Sequence, residues 1–374
     1  MIKPARAVYR GDSFMLYRKG SIVFNELHEL PDLWQKVLNF MNKEREAGVT
    51  WIRSQNCGQV VYVATSELYN IAISAAKVTH LVSGLNSIAI TPNEIMYGRR
   101  PPYDARIRTL VVVLSNPSTF TETSWGVERL KQLDPKAQFL SLETESGKFA
   151  SLVNYNLVFS EIKDAAKMPV VSMSCLLLAS FALVGWISGK KILLDELERL
   201  PGICRDHLKT WQVKSQQIFL DKPAHIVFLG SGPYEGIARE GAMLVSKIAT
   251  VHSESNYFIE YRHGIYGSAN QSSMIIGLFS NTFRNVEESI FADLSVTRAR
   301  RIAIADRSSS DLISRSSDIL ELNSGVSEIA RVILALVAVQ FLVFYLSMGR
   351  GINPDNPKHL ENARLELKER PGAK

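Results

Sequence analysis

The feature that most constrains this chain is a set of short apolar runs that occurs twice in the same order. Each run is rich in β-branched residues, ends at turn-forming residues and is followed by a helical pattern. The first series is QVVYVATS (59–66), TLVVVLSNPS (109–118), QFLSLET (138–144) and YNLVFSEI (155–162). The second series is HIVFLGSG (225–232), MIIGLFSNT (274–282), RIAIADRSS (301–309) and DILELNS (318–324). Spacing that matches in both halves indicates an internal duplication.

Continuous apolar strands that alternate with helices predict parallel sheets covered on both faces. The chain of 374 residues is long enough for two such domains. We therefore predict an α/β protein made of two αβα sandwiches. The expected order is a helical lead-in (1–56), a first domain (57–190), a helical linker (191–223), a second domain (224–350) and a tail (351–374).

Two stretches, 169–189 and 332–348, are nearly long and apolar enough to span a membrane. Both contain polar residues, and each closes one half of the repeat, so we predict buried core helices and no membrane partner. The first residues lack the apolar segment of a signal peptide. The three widely spaced cysteines fit neither a metal site nor a disulfide framework, and we expect free thiols in the cytoplasm.

The net charge of +6 and the pI near 9.1 favour anionic ligands. The basic residues are scattered, without the tail or arm that follows a phosphodiester backbone. This distribution argues against nucleic acid and favours a small phosphorylated compound. The histidines show no metal-binding spacing, so no metal or cofactor is expected.

Hydroxyl and amide side chains follow the first two strands of each half. In open parallel sheets, ligands bind beyond the carboxyl ends of the strands, near helix N-termini. A plain turn or helix cap would use the same residue types, and Pro117 removes one backbone donor. The candidate phosphate-binding residues are Thr65, Ser66, Ser115, Asn116, Ser118, Thr119, Thr121 and Ser231.

The two halves, the ATS and SNPST loops, the GSG…AREGA helix start and the EYRHG loop together resemble tandem sugar isomerase (SIS) domains. Such domains form the isomerase part of glucosamine-6-phosphate synthase and the AgaS-type tagatose-6-phosphate ketose/aldose isomerases. The resemblance covers roughly residues 25–362 and is more specific in the second half. It implies two SIS domains with five-stranded, mostly parallel sheets, a homodimer or homotetramer, and no cofactor.

The resemblance also implies a sugar phosphate held by the first-half loop, with acid–base residues from the second half. Glu240 matches the glutamate that begins the family's catalytic helix. His263 matches the histidine that opens the sugar ring, which often reaches in from a neighbouring subunit. Glu254 and Glu260 match acidic positions, and Glu260 is a candidate substrate-binding residue.

Several positions depart from the family pattern. Lys247 stands where the family places the glutamate that moves a proton between C1 and C2, and Leu244 stands where a lysine is common. The C-terminal lysine of the family would fall near Asn362, and Ile265 replaces a usual proline. A desolvated Lys247 would act as a base or a Schiff-base amine. The alternative is that Lys247 points to solvent or pairs with a carboxylate, while Glu240 serves as the base.

The leading hypothesis is a sugar-phosphate isomerase acting on a hexose or amino-sugar 6-phosphate, with or without deamination. The alternatives are a fructosamine-6-phosphate deglycase and a non-catalytic sugar-phosphate sensor. The predicted catalytic residues are Glu240, Lys247 and His263.

Overall fold

The structure is a computed structural model that describes residues 19–145, 147–219 and 222–361. Within these residues the chain forms two parallel sheets of five strands each. The strands of the first sheet are β1 (Gln59–Val63), β2 (Asn86–Ile90), β3 (Thr109–Ser115), β4 (Gln138–Glu143) and β5 (Tyr155–Val158). Those of the second are β6 (His225–Gly230), β7 (His252–Asn256), β8 (Ser273–Leu278), β9 (Arg300–Ala305) and β10 (Asp318–Glu321).

Helices connect and cover these strands. In the first half they are α1 (Ser21–Gln55), α2 (Glu67–Ser83), α3 (Pro92–Tyr97), α4 (Phe120–Leu133) and α5 (Val171–Ser188). The long helix α6 (Lys191–Ile218) joins the halves. The second half contains α7 (Tyr234–Leu244), α8 (Phe258–Arg262), α9 (Arg284–Asp293), α10 (Ser310–Arg315) and α11 (Glu328–Gly349).

The strand orders are β2-β1-β3-β4-β5 and β10-β9-β8-β6-β7. All eight apolar runs form strands in the predicted order, which confirms two αβα sandwiches. The apolar runs did not reveal β2 and β7. Both are edge strands, NSIAI and HSESN, and most of their residues are exposed or half-buried. An edge strand has one paired neighbour and does not need the apolar residues of a central strand.

The largest core lies between the two sheets. Along β1, Val60 and Tyr62 belong to this central core, whereas Val61 and Val63 face a smaller core on the other side. This period-2 alternation, with both sides buried, is why the strand reads as a continuous apolar run. The central core is completed by apolar residues from α1, α2, α5, α6, α7 and α11.

Helices α5 and α11 are long and apolar enough to cross a membrane by length and composition. In the structure, 89% of the apolar window of each helix is buried inside the protein. The prediction that both are core helices is confirmed.

The two halves meet where α2 packs against α7. At Gly236 an added Cβ would lie 2.1 Å from the Asn70 carbonyl oxygen, so the helices approach at a distance that only glycine permits. The Ser74 hydroxyl donates to the Pro233 carbonyl at 2.7 Å, and the Asn70 amide donates to Glu240 at 2.9 Å. This junction brings the C-terminal end of α7 to the strand ends of the first sheet.

Candidate functional site

A cavity of about 440 Å³ opens at the carboxyl ends of the first sheet. This volume is within the range of about 300–1,000 Å³ that small-molecule sites occupy. The loops after β3, β4 and β5 form most of its wall, and α2 and the second half complete it. The lining residues are Glu67, Asn116, Pro117, Ser118, Thr144, Glu145, Ile162, Lys163, Asp164, Ala166, Lys167, Pro169 and Lys247.

The loop after β3 presents polar groups to this cavity. The Ser118 hydroxyl donates to Asn116 Oδ1 at 2.7 Å, and the Thr119 hydroxyl lies 3.2 Å from the same oxygen. Asn116 and Ser118 line the cavity, while Ser115 and Thr119 are buried behind them. Among the predicted phosphate-binding residues, Asn116 and Ser118 therefore lie in the cavity wall. Thr121 is exposed in the first turn of α4.

The turn between β1 and α2 holds Thr65 and Ser66. The Thr65 hydroxyl lies 3.2 Å from that of Thr123 on α4. Ser66 is exposed with φ 56° and ψ −131°, a region that glycine strongly prefers. Gly232, at the corresponding turn of the second half, has the same φ of 56°. The first half thus carries a hydroxyl where the backbone favours glycine. Its partner is the Glu67 carboxylate, to which the Ser66 hydroxyl donates a hydrogen bond.

Lys247 reaches the cavity from the second half and forms an ion pair with Glu67. It lies in a π-helical turn, Val245–Ala249, that continues α7. Such turns are rare and frequent at functional sites. Burial acts to raise the pKa of Glu67, but the charge and hydrogen bond of Lys247 outweigh it and hold the pKa below its usual value. Of the alternatives for Lys247, the structure shows the pairing with a carboxylate.

Glu240 lies behind this pair and is fully buried. Its Oε2 accepts the amide of Asn70 at 2.9 Å, and its Oε1 has no hydrogen-bond partner within the described ranges. Burial, together with the negative charge of Glu67, raises the pKa of Glu240 to about 8. Glu240 is therefore harder to ionise than an ordinary carboxyl group. It contacts the junction of the halves and does not belong to the lining of the cavity.

A smaller cavity of about 160 Å³ lies at the strand ends of the second sheet. Glu260 lines it, beside Glu235 and Tyr257. Glu235 forms ion pairs with Lys77 of α2 and Arg239, at 3.0 and 3.1 Å. Predicted residue Ser231 is half-buried in the turn after β6, where its carbonyl accepts the Tyr234 amide.

His263 lies just after α8 and is exposed. It is absent from the lining of the larger cavity, so the described chain alone does not bring His263 to Lys247. Glu254 lies on the edge strand β7, where its Oε1 is 3.3 Å from His225 Nε2. Of the sequence-predicted residues, Asn116, Ser118 and Lys247 line the larger cavity and Glu260 lines the smaller one, whereas Glu240 and His263 line neither.

The C-terminal segment bonds the backbone of two residues in the wall of the larger cavity, Lys247 and Lys167. The His359 ring nitrogen lies 2.7 Å from the Lys247 carbonyl oxygen. Asp355 accepts the Ile22 and Val23 amides at the start of α1, at 3.2 and 2.9 Å. The Lys167 amide in the cavity wall donates to the Asp355 carbonyl at 2.8 Å. Asn362, where the family pattern would place a lysine, lies outside the described residues.

Sequence reasoning did not select Glu67. Its signal in the sequence is a carboxylate directly after the ATS loop, at the first position of α2. Its partner Lys247 is 180 residues away, and spacing does not reveal that contact. In the described part of the chain, no group of three or more His, Cys, Asp or Glu side chains is arranged to hold a metal ion.

No family model matches the chain. The curated relatives include glutamine–fructose-6-phosphate aminotransferase (isomerizing) of Methanothermobacter thermautotrophicus, at 23% identity over 93% of this chain. The chain spans 57% of that protein's length. They also include a putative D-galactosamine-6-phosphate deaminase AgaS of Streptomyces coelicolor, at 31% identity over 36% of this chain and 37% of that protein.

Solved structures share the whole fold. Tagatose-6-phosphate ketose/aldose isomerase from Escherichia coli superposes with a TM-score of 0.81 at 16% identity, over 91% of this chain and 98% of that one. The C-terminal domain of glucosamine-fructose-6-phosphate aminotransferase from Francisella tularensis gives 0.79 at 16% identity, over 92% and 100%. These comparisons confirm the resemblance seen in the sequence: the chain has the tandem SIS fold, and its relatives are sugar-phosphate isomerases, aminotransferases and deaminases.

Proposed function

We propose that this chain binds a hexose or amino-sugar 6-phosphate in the larger cavity and catalyses its aldose–ketose isomerisation. The observation that carries this proposal is the position of the cavity. It opens at the strand ends of a parallel sheet, beside a hydroxyl- and amide-rich loop. The names of the relatives, which act on fructose 6-phosphate and amino-sugar phosphates, support this ligand class.

The cavity wall contains groups that can hold a phosphate ester. Lys163, Lys167 and Lys247 line it together with Asn116 and Ser118, and the carboxylates of Glu67, Glu145 and Asp164 line it as well. Neutral donors at a strand end hold a phosphate, and nearby ammonium groups attract its charge. We propose that the Asn116–Ser118 loop receives the phosphate, which leaves the sugar carbons near the Glu67–Lys247 pair.

His263 is the predicted residue that opens the sugar ring, and its exposure on this chain supports a donation to a second copy. In a homo-oligomer of this kind, each cavity would receive His263 of a neighbouring subunit. A mixture of Ser118→Asp and His263→Ala proteins tests this arrangement. If Ser118 and His263 act in one site but come from different chains, mixed oligomers regain activity. If both residues of a site come from the same chain, mixing restores no activity.

Proton NMR in D2O with a panel of hexose, hexosamine and fructosamine 6-phosphates tests the function. We expect loss of the aldose C2 proton signal, or of a ketose C1 proton signal, with at least one compound. Release of ammonia with an amino sugar would extend the reaction to deamination. Release of a free amine from a fructosamine phosphate would identify a deglycase instead.

Two outcomes would contradict the proposal. Line broadening of a sugar phosphate without exchange or new signals would identify a sensor that binds but does not catalyse. If no compound shows either binding or exchange, the sugar-phosphate assignment itself is wrong.

A further inference from the structure

We propose that Glu67, supplied by the first half, is the carboxylate that moves the proton between C1 and C2, with Lys247 as its ion-pair partner. This inference rests on the proposed function. In the family pattern the proton-moving glutamate occupies the position of Lys247. In this chain the position holds a lysine, and the carboxylate that pairs with it, Glu67, lies at the start of α2.

The geometry holds Glu67 in one orientation. Its Oε1 pairs with Lys247 Nζ, and its Oε2 accepts the Ser66 hydroxyl. Glu67 is only 7% exposed, yet it lines the cavity beside Asn116 and Ser118. A general base must lie within hydrogen-bond reach of the proton that it removes. A carboxylate at the cavity wall, with further lone pairs on each oxygen, is placed to accept a proton from a sugar bound there.

The proposed step balances in protons and charge. Glu67 takes the C2 proton of the open-chain aldose, and the electron pair of that C–H bond forms the C1=C2 double bond. The O1 oxygen becomes the anionic oxygen of an enediolate. A proton then passes from O2 to O1, and the neutral Glu67 returns its proton to C1 to give the ketose. Throughout, one negative charge remains near the Lys247 ammonium, first on Glu67 and then on the enediolate.

Glu240 is the competing base, and the structure argues against it. It is fully buried behind Asn70, it lies outside the lining of the cavity, and burial raises its pKa. Glu67 is ionised because Lys247 lowers its pKa. The other ionisable groups around the cavity are Glu145, Lys163, Asp164 and Lys167.

The test uses the full-length protein and the sugar phosphate that wild type exchanges in D2O. For Glu67→Gln we expect the exchange rate to fall about 100-fold or more, with ligand binding within about threefold. Glu67→Asp should restore part of the rate. The control is Glu161→Gln, which breaks the Lys36–Glu161 surface pair (2.8 Å) and should leave exchange unchanged. If Glu67→Gln does not fold, the double variant Glu67→Gln/Lys247→Gln replaces it in the test, because it leaves neither partner as an unpaired charge.

A pH profile separates chemistry from structural support. Wild-type exchange should fall as pH drops through the pKa of Glu67. Lys247→Gln removes the ammonium that lowers this pKa, so the acidic limb should move to higher pH. A purely structural role for Glu67 would leave the limb in place.

Exchange retained by Glu67→Gln and lost in Glu240→Gln would overturn this inference while leaving the proposed function intact. An unmoved acidic limb in Lys247→Gln would also overturn it. Absence of exchange in wild type with every compound would refute the proposed function, and this inference with it.

Discussion

The two halves carry corresponding loops after their central strands β3 and β8; the first loop lines the larger cavity, and the second is bonded by carboxylates of the protein. In the second half, the amides of Asn281 and Thr282 and the Thr282 hydroxyl all donate to Glu328, each at 2.9 Å. The Ser280 amide and hydroxyl donate to Glu287 at 2.8 and 3.0 Å. Carboxylates of the protein itself occupy the donors that an anion would use.

In the first half, the hydroxyls of Ser118 and Thr119 both bond Asn116 Oδ1, and three lysines and three carboxylates line the same cavity. One difference lies in the long apolar helix that follows the last strand of each half. Helix α11 starts with Glu328, whereas α5 starts with Val171 and is capped by Asp164. Within the described residues, the loop of the first half bonds within itself, whereas carboxylates of the protein satisfy the corresponding loop of the second half.

An acidic residue placed in each loop gives the largest expected contrast. Ser118→Asp should weaken sugar-phosphate binding about 100-fold or more, because a like charge about 4 Å from the phosphate costs on the order of 4 kcal/mol at an intermediate dielectric. Thr282→Asp should leave binding unchanged and lower the melting temperature, because its charge meets Glu328. Titration calorimetry and thermal melting measure the two effects. If both variants lost sugar-phosphate binding equally, the two loops would not differ in their contribution to binding.

Removal of the internal carboxylate should open the second loop. Glu328→Ala loses three hydrogen bonds at a partly exposed site, which we expect to cost about 1–2 kcal/mol. Millimolar phosphate should then raise the melting temperature of the variant more than that of wild type. Glu196→Ala is the matched control, because Glu196 accepts the amide and hydroxyl of Ser327 without closing the loop. Equal phosphate effects in both variants would show that the loop binds no anion.

Ser74 and Glu240 occupy corresponding positions at the junction of the halves, seven residues after Glu67 and Pro233. The folded-state pKa of Glu240, about 8, lies above its usual 4.5, so this carboxyl favours folding at low pH and loses that contribution as pH rises. Glu240→Gln should gain free energy of unfolding relative to wild type by up to about 1.4 kcal/mol per pH unit between pH 5 and 8. Urea unfolding measures it. The free energy of unfolding of Ser74→Ala should differ from that of wild type by an amount that does not change with pH. If the plots of unfolding free energy against pH were parallel for Glu240→Gln and wild type, the raised pKa of Glu240 would be contradicted.

The smallest expected effect compares Ser66 with Gly232. Ser66→Gly relieves an unfavourable φ but gives the unfolded chain more freedom, so the net gain in stability should stay under about 1 kcal/mol. Binding should weaken because the hydroxyl is lost. Gly232→Ser should cost about 1 kcal/mol without affecting binding. Stabilisation by both changes, measured by thermal melting, would show that the two turns are not equivalent.

Much of the fold was predictable because central strands and core helices have periodic apolar patterns. The runs at 59–66 and 225–232 indicated β1 and β6, and the stretches at 169–189 and 332–348 indicated α5 and α11. The edge strands β2 and β7 were not recognised, because half-exposed strands with polar residues resemble loops. Asn116 and Ser118 were predictable from their place after a strand.

The sequence alone determined the duplicated α/β design, the strand-end loops and the departures from the family pattern at Lys247 and Leu244, because these depend on local order along the chain. Only the tertiary structure decided that Glu67 faces Lys247, that Glu240 is sealed behind them and that Glu328 closes the second loop. The physical reason is that each of these contacts joins residues tens to hundreds of positions apart. Their pKa values and accessibility come from packing between elements, which composition and spacing do not encode.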